Sequence, residues 1–578
     1  MMSAESLKLS MKVAITSMCL SFLVFPLLLV IHSLAFCQVE EAWSVHYDSP
    51  YDNDNGGHDW PYDIAVDESG NIYVTGWSPG RYFPSTWEHD FLTIKYDPEG
   101  NELWVARYEW GGHDGAKAIA LDPEANVYVT GFSEYMPYAH DYLTIKYDTD
   151  GNELWSARWQ GEAVDGPKDI VVDDLGNVYV TGWTESFGTG SDYLTIKYDT
   201  NGNELWTARY DGGTEGYSAS PNDIAIDSQG NVYVTGTSSG FGTGADYVTI
   251  KYDTDGNELW LVRYNGPYSG LDAAVAVAVD KVGNVYVTGR GEVKYSVDHY
   301  ITVKYDTHGN ELWVAQYCGP YDGGGNFPEA MTIDVSGNVY VTGESYGIDT
   351  FRDYATVKYD TDGNEIWAAR YDQAGFRDHP RDIAVDIDGS VVVTGSSYYG
   401  DLYYEEDIVT VKYDANGNEI WLQSFDEVGR DDIANAIALD REGNVCVTGW
   451  STTGWHNVYT TIKYVPTVSL GFTCLTPFVK RGGSLQYEAT LANNTSESQD
   501  FWAWLKVKLP TSEWYEDYLL PPTPLTLDPD EERTYPVFQD IPLSALLGRY
   551  EYWGYIGSDT LAVWDCDMFQ FSVYSHPH

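Results

Sequence analysis

The stretch DIVVDDLGNVYVTG, residues 169–182, decides the fold of this chain, because close copies of it recur along most of the sequence. Each copy is followed by a variable loop, by a segment like DYLTIKYD and then by GNELW. A period near 50 residues with four strand-like segments per unit predicts the blades of a β-propeller. The final glycine of the stretch recurs in steps of 51 to 55 residues, at Gly76, Gly131, Gly182, Gly236, Gly289, Gly343, Gly395 and Gly449.

Each unit is predicted to contain four β-strands, since β-branched and aromatic residues alternate in DIAVD, NVYVTG, YLTIKY and LWSARY. Asp-x-x-Gly-Asn and Asp-Thr-Asp-Gly-Asn supply the positive φ that tight turns between these strands require. The eighth unit lacks its tryptophan strand after Lys463, whereas EEAWSVHYD at residues 40–48 matches ELWSARYD. We therefore predict an eight-bladed β-propeller over residues 38–464, in which an N-terminal strand completes the last blade and closes the ring.

The repeated DxxGNxYVTG and YDxxGN motifs resemble the SBBP family of β-propeller repeats, and the resemblance covers residues 43–464. That family is named for seven blades, whereas eight units are counted in this chain. The resemblance implies a propeller fold and frequent export, but it implies no settled activity.

After residue 464 the repeat stops, and residues 465–578 contain strand-like runs separated by Gly-Gly, Asn-Asn and a proline-rich stretch. A segment of this length and pattern predicts one immunoglobulin-like β-sandwich, so the whole fold is expected to be all-β. Cys474 and Cys566 lie near the two ends of this segment and are the candidates for a single disulfide bond.

The first 37 residues predict export. Lys8 and Lys12 precede a long apolar run, and residues 13–36 contain no charged side chain. This pattern is typical of a secretory signal peptide cut before Gln38, although the run is also long enough to remain as an uncleaved anchor. We therefore expect a secreted or cell-surface protein of the cell envelope, which touches a membrane only through this segment if it is uncleaved.

The charge balance limits the partners. With 88 acidic and 32 basic residues the formal net charge is −56, which repels nucleic acid and anionic lipid. A glycan or a protein at the cell surface remains the expected partner.

The blade topology predicts that the loops between second and third strands, and between fourth and first strands, lie on one face. These are the loops that vary, and loops on a rigid scaffold commonly carry binding sites. Flat aromatic rings beside short polar side chains suit sugars or exposed peptide. The candidate ligand-binding residues on this face are Trp87, Tyr135, Tyr138, Tyr268, Tyr321, Tyr398, Tyr399 and Trp455.

Four histidines occupy equivalent places on this face in the first two units, and imidazole groups that lie close together suit zinc. They are His58, His89, His113 and His140. Calcium remains an alternative at the acidic loop of residues 48–59. The Asp-x-Asp-Gly turns are interpreted as turns only, because His308 takes the place of a carboxylate in one copy. No other cofactor is expected.

Catalytic motifs are not supported. GxSxG occurs at Ser78, Ser238 and Ser345, but these are one repeat position, and no helix is predicted after any of them, as a nucleophile elbow requires. We therefore predict an exported, non-enzymatic binding or scaffold protein whose variable loops recognise a glycan or a protein. Two alternatives stay open: a propeller lyase or hydrolase that acts on polysaccharide through the four histidines, and a purely structural component of the envelope.

Overall fold

The computed structural model describes residues 39–574, and within this part of the chain every regular element is a β-strand, which confirms the all-β prediction. No helix in this part has the length and apolarity that crossing a membrane requires. The predicted signal peptide lies outside the described residues. So do the gaps at 51–56, 81–88, 111, 137–138, 162, 187–189, 213–217, 241–243, 269, 295–296, 322, 349, 374, 400–404, 428–429, 455, 475–477, 481–483, 495–497, 510–519, 529–530, 542–544, 547 and 558–562.

The repeats form eight four-stranded antiparallel sheets, here called blades 1 to 8 in chain order. The first described strand is β1 (Val39–Tyr47). Blades 1 to 4 contain β2 (Trp60–Val66), β3 (Ile72–Pro79), β4 (His89–Tyr96) and β5 (Glu102–Tyr108); β6 (Asp114–Leu121), β7 (Val127–Met136), β8 (Ala139–Tyr147) and β9 (Glu153–Trp159); β10 (Asp165–Val172), β11 (Val178–Ser186), β12 (Gly190–Tyr198) and β13 (Glu204–Tyr210); and β14 (Ala219–Ile226), β15 (Val232–Gly240), β16 (Gly244–Tyr252) and β17 (Glu258–Tyr264).

The next three blades have the same order, and blade 8 differs in one strand. Blades 5 to 7 contain β18 (Ala273–Val279), β19 (Val285–Lys294), β20 (Val297–Tyr305) and β21 (Glu311–Tyr317); β22 (Asn326–Ile333), β23 (Val339–Tyr346), β24 (Arg352–Tyr359) and β25 (Glu365–Tyr371); and β26 (Asp378–Val385), β27 (Val391–Tyr399), β28 (Glu405–Tyr413) and β29 (Glu419–Phe425). Blade 8 contains β30 (Asp432–Leu439), β31 (Val445–Thr453) and β32 (His456–Pro466), and its fourth strand is β1.

The recurrent aspartate after the first strand of each unit organises the turn. In blade 1 both carboxylate oxygens of Asp67 accept hydrogen bonds from Asn71, one from the backbone amide (2.9 Å) and one from the side-chain amide (2.7 Å). The hydroxyl of Tyr73 donates to the same carboxylate at 2.9 Å. Gly70 adopts a φ of 79°, which is why glycine recurs at this position.

Adjacent blades are held together by apolar cores and by ties that repeat around the ring. Tyr73 and Phe91 of blade 1 are buried against Ile119 and other apolar residues of blade 2. Lys95 Nζ donates to the carbonyl oxygen of Thr149 in blade 2 at 3.1 Å, and Trp104 Nε1 donates to the same oxygen at 3.1 Å. The recurrent lysine thus makes hydrogen bonds between blades, as Lys197 and Lys304 also do.

The blade 8 to blade 1 boundary is built like the others. β1 pairs antiparallel with β32, and Trp43 stands opposite Lys463 as Trp104 stands opposite Lys95. Trp43 Nε1 donates to the carbonyl oxygen of Pro98 in blade 1 at 3.0 Å. The first strands of successive blades are neighbours, and β30 lies beside β2.

The C-terminal part forms two further sheets. Its strands are β33 (Val468–Cys474), β34 (Phe478–Lys480), β35 (Ser484–Asn493), β36 (Gln499–Lys508), β37 (Leu520–Leu527), β38 (Glu532–Asp540), β39 (Gly548–Gly557) and β40 (Val563–Tyr574). One sheet has the order β33-β35-β38, and the other has the order β34-β40-β39-β36-β37. Their facing sides share a core, in which the hydroxyl of Tyr487 donates to that of Tyr552 at 3.2 Å. The immunoglobulin-like assignment stays a prediction.

The predicted disulfide joins strands of these two different sheets. Cys474 ends β33 and Cys566 lies in β40, and these two strands contact each other. The pairing itself stays a prediction. Cys446, in contrast, is fully buried in blade 8, where burial raises the pKa of its thiol to about 12.

Candidate ligand-binding face

The strand pairing places all loops of one kind at one end of the blades. In blade 2, Asp114 pairs with Ser133 and Ser133 pairs with Asp141 at one end, whereas Leu121, Val127 and Tyr147 align at the other. The loops between second and third strands and between fourth and first strands therefore share one face, called the variable face below. The short recurrent turns occupy the opposite, constant face.

Beneath the variable loops lies a buried polar network that repeats from blade to blade. Arg107 Nη1 donates to Asp90 at 2.9 Å, and its Nη2 donates to Ser78 Oγ at 2.8 Å. Ser238 and Ser345 accept equivalent bonds from the arginines of their own blades, at 3.1 and 2.7 Å. All three GxSxG serines are fully buried. Their position in this network explains the recurrent motif without a catalytic role.

A cluster of tryptophans and histidines lies on the variable face where blades 8, 1 and 2 meet. Trp60 stacks on Trp77 with ring centroids 5.8 Å apart and contacts Trp450 of blade 8 at 5.0 Å. The His89 ring lies 4.0 Å from that of Trp77, measured between centroids. The Nδ1 atoms of His89 and His113 are 3.2 Å apart, a hydrogen-bond distance that requires one of the two rings to accept.

The surroundings of His89 and His140 favour neutral imidazoles. Burial, together with His113 and His58, lowers the pKa of His89 to about 4. Burial is also the main cause that lowers the pKa of His140, whose ring stacks on Phe132 at 4.9 Å. His58 Nδ1 accepts a hydrogen bond from the backbone amide of Asn457 at 3.1 Å, so its lone pair is engaged.

The predicted zinc ligands are therefore only partly brought together. His89 and His113 are in contact, and zinc binding by all four histidines stays a prediction. Among the described residues, the groups of three or more potential ligands with atoms within 4.8 Å of one another contain only aspartates: Asp353, Asp372 and Asp378, and Asp407, Asp426 and Asp432. Part of the acidic loop of residues 48–59 lies outside the described residues, and a calcium site there likewise stays a prediction.

The predicted aromatic residues differ in their exposure. Tyr268, in the loop between blades 4 and 5, is 57% exposed, and Tyr321, in the loop between blades 5 and 6, is 51% exposed. Tyr398 is partly buried and packs edge-on against His379 with ring centroids 5.7 Å apart. Trp87, Tyr138 and Trp455 lie outside the described residues, as do the side chains of Tyr135 and Tyr399.

Two further exposed aromatic residues were missed by the sequence reasoning. Trp110, in the loop between blades 1 and 2, is 56% exposed, and Phe351, in a loop of blade 6, is 55% exposed. The Trp110 ring lies parallel to that of Tyr108 at 6.4 Å, and the guanidinium of Arg158 lies 5.4 Å from it. Trp110 could have been predicted from its position, because it lies in a loop between a fourth and a first strand, as Tyr268 and Tyr321 do.

A set of half-buried aspartates on the first strands was also missed. The carboxylate of Asp63 accepts the backbone amide of Ile119 in the next blade at 2.8 Å, and Asp382 accepts that of Ile437 at 2.9 Å. Burial, with two of the other aspartates of this set, raises the pKa of Asp63 to about 7. Asp169 and Asp223 make the same contacts. These carboxylates link neighbouring blades through hydrogen bonds. The sequence pattern that could have revealed them is an aspartate or alanine at this position in every unit.

The constant face carries shallow cavities. One of about 550 Å³ lies between the turns of blades 4 and 5 and is lined by Asp227, Lys251, Trp260 and other residues. These three residues recur at the same positions in other blades, so the lining of this cavity is not specific to blades 4 and 5. The individual features of the protein are concentrated on the variable face.

Eight antiparallel four-stranded sheets with first strands around a common ring define a β-propeller protein. The model of the SBBP family, described as a β-propeller repeat, matches residues 53–83, 160–187 and 208–242. The chain therefore matches the SBBP repeat at these three places, which confirms the resemblance found in the sequence.

One curated relative is similar over much of the chain. It is the uncharacterized WD repeat-containing protein L264 of Acanthamoeba polyphaga mimivirus, 24% identical over an alignment of 460 positions that covers 65% of this chain and 32% of the relative. The chain thus spans about a third of the length of that relative. The relative is named for its WD repeats, and this supports the propeller assignment.

Solved structures with some likeness include two enzymes. The gluconolactonase XC5397 from Xanthomonas campestris is 12% identical, with a TM-score of 0.27, over 58% of this chain and 95% of that one. The polysaccharide lyase Uly1 is 10% identical, with a TM-score of 0.37, over 72% of this chain and 92% of that one. Likenesses of this size carry no argument about activity.

Proposed function

We propose that this protein is an exported binding module whose variable face recognises a glycan at the cell surface. One observation carries the proposal: four aromatic side chains in loops of that face are each more than half exposed, namely Trp110, Tyr268, Tyr321 and Phe351. Apolar rings left in water gain roughly 25 cal/mol for each Å² that a ligand covers. Rings held by loops on a rigid scaffold lose little entropy when they bind.

The charge of the chain narrows the class of glycan. A net charge of −56 repels uronate-rich or sulfated polymers, so neutral polysaccharides are the expected ligands. Tyr268 lies in the loop before blade 5, and Tyr321 lies in the equivalent loop after it, both on the variable face. An extended polymer can cover two separated rings, whereas a single sugar covers one.

Replacing Tyr268 and Tyr321 together with alanine should weaken binding to a neutral polysaccharide by at least about tenfold. Each stacked ring is expected to contribute on the order of 1 kcal/mol or more, and 1.4 kcal/mol corresponds to a factor of ten. Binding of the full chain is measured by isothermal titration and by affinity electrophoresis against a panel of neutral and acidic polysaccharides.

The matched control is the double variant Leu154→Ala and Leu205→Ala. These leucines are as exposed as the tyrosines, at 53% and 52%, but they lie on the fourth strands of blades 2 and 3, away from the loops. Equal loss of binding in both double variants contradicts the proposal. Binding to envelope proteins and to no polysaccharide shifts the assignment to a protein partner.

A propeller enzyme that acts on polysaccharide is the second candidate, and the His89–His113 pair favours it. A neutral imidazole beside the Trp77 ring has the lone pair that a general base needs. The experiment is incubation of the full chain with the polysaccharides that it binds, followed by measurement of new reducing ends and of unsaturated products.

If the chain is such an enzyme, replacing His89 or His113 with glutamine should lower the rate by at least about 100-fold, because general acid–base catalysis contributes this much. The fold is checked by thermal unfolding, and His308→Gln, in a turn of the constant face, serves as the control. Unchanged rates in His89→Gln and His113→Gln, or no product from any bound polysaccharide, rule out this role.

A further inference from the structure

An ion pair between the third and the fourth strand recurs on the variable side of the blades. An aspartate near the start of the third strand is buried, and the arginine three residues after the recurrent tryptophan reaches it. In five blades this pair is present with nitrogen–oxygen distances between 2.6 and 3.1 Å: Arg107–Asp90, Arg158–Asp141, Arg209–Asp192, Arg263–Asp246 and Arg370–Asp353.

Three blades lack this arginine, and two of them lack the aspartate as well. Blade 5 has Gln316 in place of the arginine and His299 in place of the aspartate, and the two side chains contact each other. Blade 8 has His46 and Val458 at these two positions, since Val458 stands opposite Ser451 as Asp90 stands opposite Ser78. A neutral side chain has thus replaced each buried carboxylate that lacks its guanidinium, as the cost of an unpaired buried charge requires.

Blade 7 lacks the arginine but retains the aspartate. Ser424 of β29 stands opposite Val409, just as Arg370 of β25 stands opposite Ala355, yet the aspartate remains as Asp407. Asp407 is only 7% exposed. Within the described part of the chain its carboxylate has no hydrogen-bond or ion-pair partner. A buried carboxylate without a counter-ion is costly, so this carboxylate is expected to bind either a proton or a cation.

The groups around Asp407 are negative. One carboxylate oxygen from each of Asp407, Asp426 and Asp432 lies within 4.8 Å of the other two. Asp432 is fully buried; its Oδ2 accepts the amide of Glu427 at 2.8 Å, and its Oδ1 has no hydrogen-bond partner among the described residues. The nearby imidazole of His46 is engaged with Glu427, at 3.0 Å from Nε2 to Oε2.

We propose that Asp407, Asp426 and Asp432 bind one Ca²⁺ ion, which takes the place in blade 7 of the arginine found in five other blades. Carboxylate oxygens are the ligands that Ca²⁺ prefers, and it accepts six to eight of them in irregular geometry. Asp426 is exposed, which leaves room for water molecules to complete the coordination. Mg²⁺ demands near-octahedral geometry and gives up its water reluctantly, so it is expected to bind more weakly.

Protons compete with the cation at this site. Burial, together with Asp426, Asp432 and Glu405, raises the pKa of Asp407 to about 7, and burial raises that of Asp432 to about 7. A cation that binds here must displace any proton that these carboxylates hold, because carboxylates bind metal in their deprotonated form.

The chain supplies its own control in the preceding blade. Asp353, Asp372 and Asp378 occupy the same three positions and lie equally close together. There, however, Arg370 Nη2 donates to Asp353 at 2.6 Å and fills the role assigned to the cation. Exchanging the residues at positions 370 and 424 should therefore move the site from one blade to the other.

The test is Ca²⁺ titration of the full chain by calorimetry, with thermal unfolding in Ca²⁺ and in EDTA. The unmodified chain should bind one Ca²⁺ at this site and gain at least about 2 °C in Tm. Ser424→Arg should abolish this binding, raise Tm in EDTA and make Tm insensitive to Ca²⁺, because the guanidinium replaces the ion. Arg370→Ser should add a second site, which Asp353→Asn should remove.

Asp407→Asn keeps the test decisive if Ser424→Arg fails to fold. It removes the uncompensated charge, so binding should be lost while Tm in EDTA is unchanged or raised. Ca²⁺ binding that persists unchanged in Asp407→Asn, or no binding by the unmodified chain at millimolar Ca²⁺ and pH 8, overturns the proposal. Both readouts use the metal alone, so they are independent of whether Tyr268 and Tyr321 bind a glycan.

Discussion

Replacing Gly236 with alanine should prevent blade 4 from forming or lower the free energy of unfolding by more than about 4 kcal/mol, a loss that few single substitutions cause. A Cβ atom at this position would lie 2.3 Å from the carbonyl oxygen of Ser220 and 2.5 Å from Cα of Pro221. Both are backbone atoms of β14, which is paired to β15 through this region. The backbone must shift to admit the methyl group, and pairing is lost when it does.

Urea unfolding followed by tryptophan fluorescence measures this loss, and Gly375→Ala is the matched control. Gly375 has a φ of 81° but no atom within 4 Å of the place where its Cβ would be. Its substitution should therefore cost only about 1 kcal/mol, the conformational cost of a positive φ. Similar losses in the two variants contradict the view that close strand approach selects the glycine.

Replacing Trp43 with alanine should destabilise the propeller by about 3 kcal/mol or more, because it removes a large side chain from the boundary between blades 8 and 1. The indole packs over Gly100, where a Cβ atom would lie 2.7 Å from its Cδ2. It also packs against Tyr96 with ring centroids 6.3 Å apart and donates to Pro98. The loss is measured by chemical unfolding of the full chain.

The matched control is Trp104→Ala, which removes the equivalent tryptophan from an internal boundary. Trp104 packs over Gly151 and donates to Thr149 as Trp43 does to its own partners. If β1 is the fourth strand of blade 8, the two substitutions should cost similar free energies. A large effect of Trp104→Ala together with a negligible effect of Trp43→Ala shows that the N-terminal strand does not close the ring.

Much of the fold was predictable because its determinants are local and repeated. The turn at Asp67 needs an acceptor, a glycine with positive φ and an asparagine, and all three lie within five consecutive residues. The alternation of residues in NVYVTG and YLTIKY likewise specifies strands directly. Eightfold repetition made each of these weak local signals reliable.

The candidate site was predictable only in outline. The grouping of variable loops on one face follows from strand order, and Tyr268 and Tyr321 are exposed on that face, whereas their role in ligand binding stays a prediction. The contact of His89 with His113 depends on how blades 1 and 2 pack, which periodicity does not specify. The aspartates at Asp63 and its equivalents were overlooked, because nothing in DIAVD shows that this carboxylate reaches an amide of the next blade.

The sequence by itself determined the all-β class, the repeating unit, the turns and the face on which individual residues are concentrated. These depend on backbone preferences and on hydrophobic periodicity over a few residues, which a chain carries regardless of its partners. Only the tertiary structure decided which charges are paired, because pairing joins residues that are distant in sequence and depends on burial. Ser424 is an unremarkable residue in the sequence, and it matters only because Asp407 is buried beside it without a counter-ion.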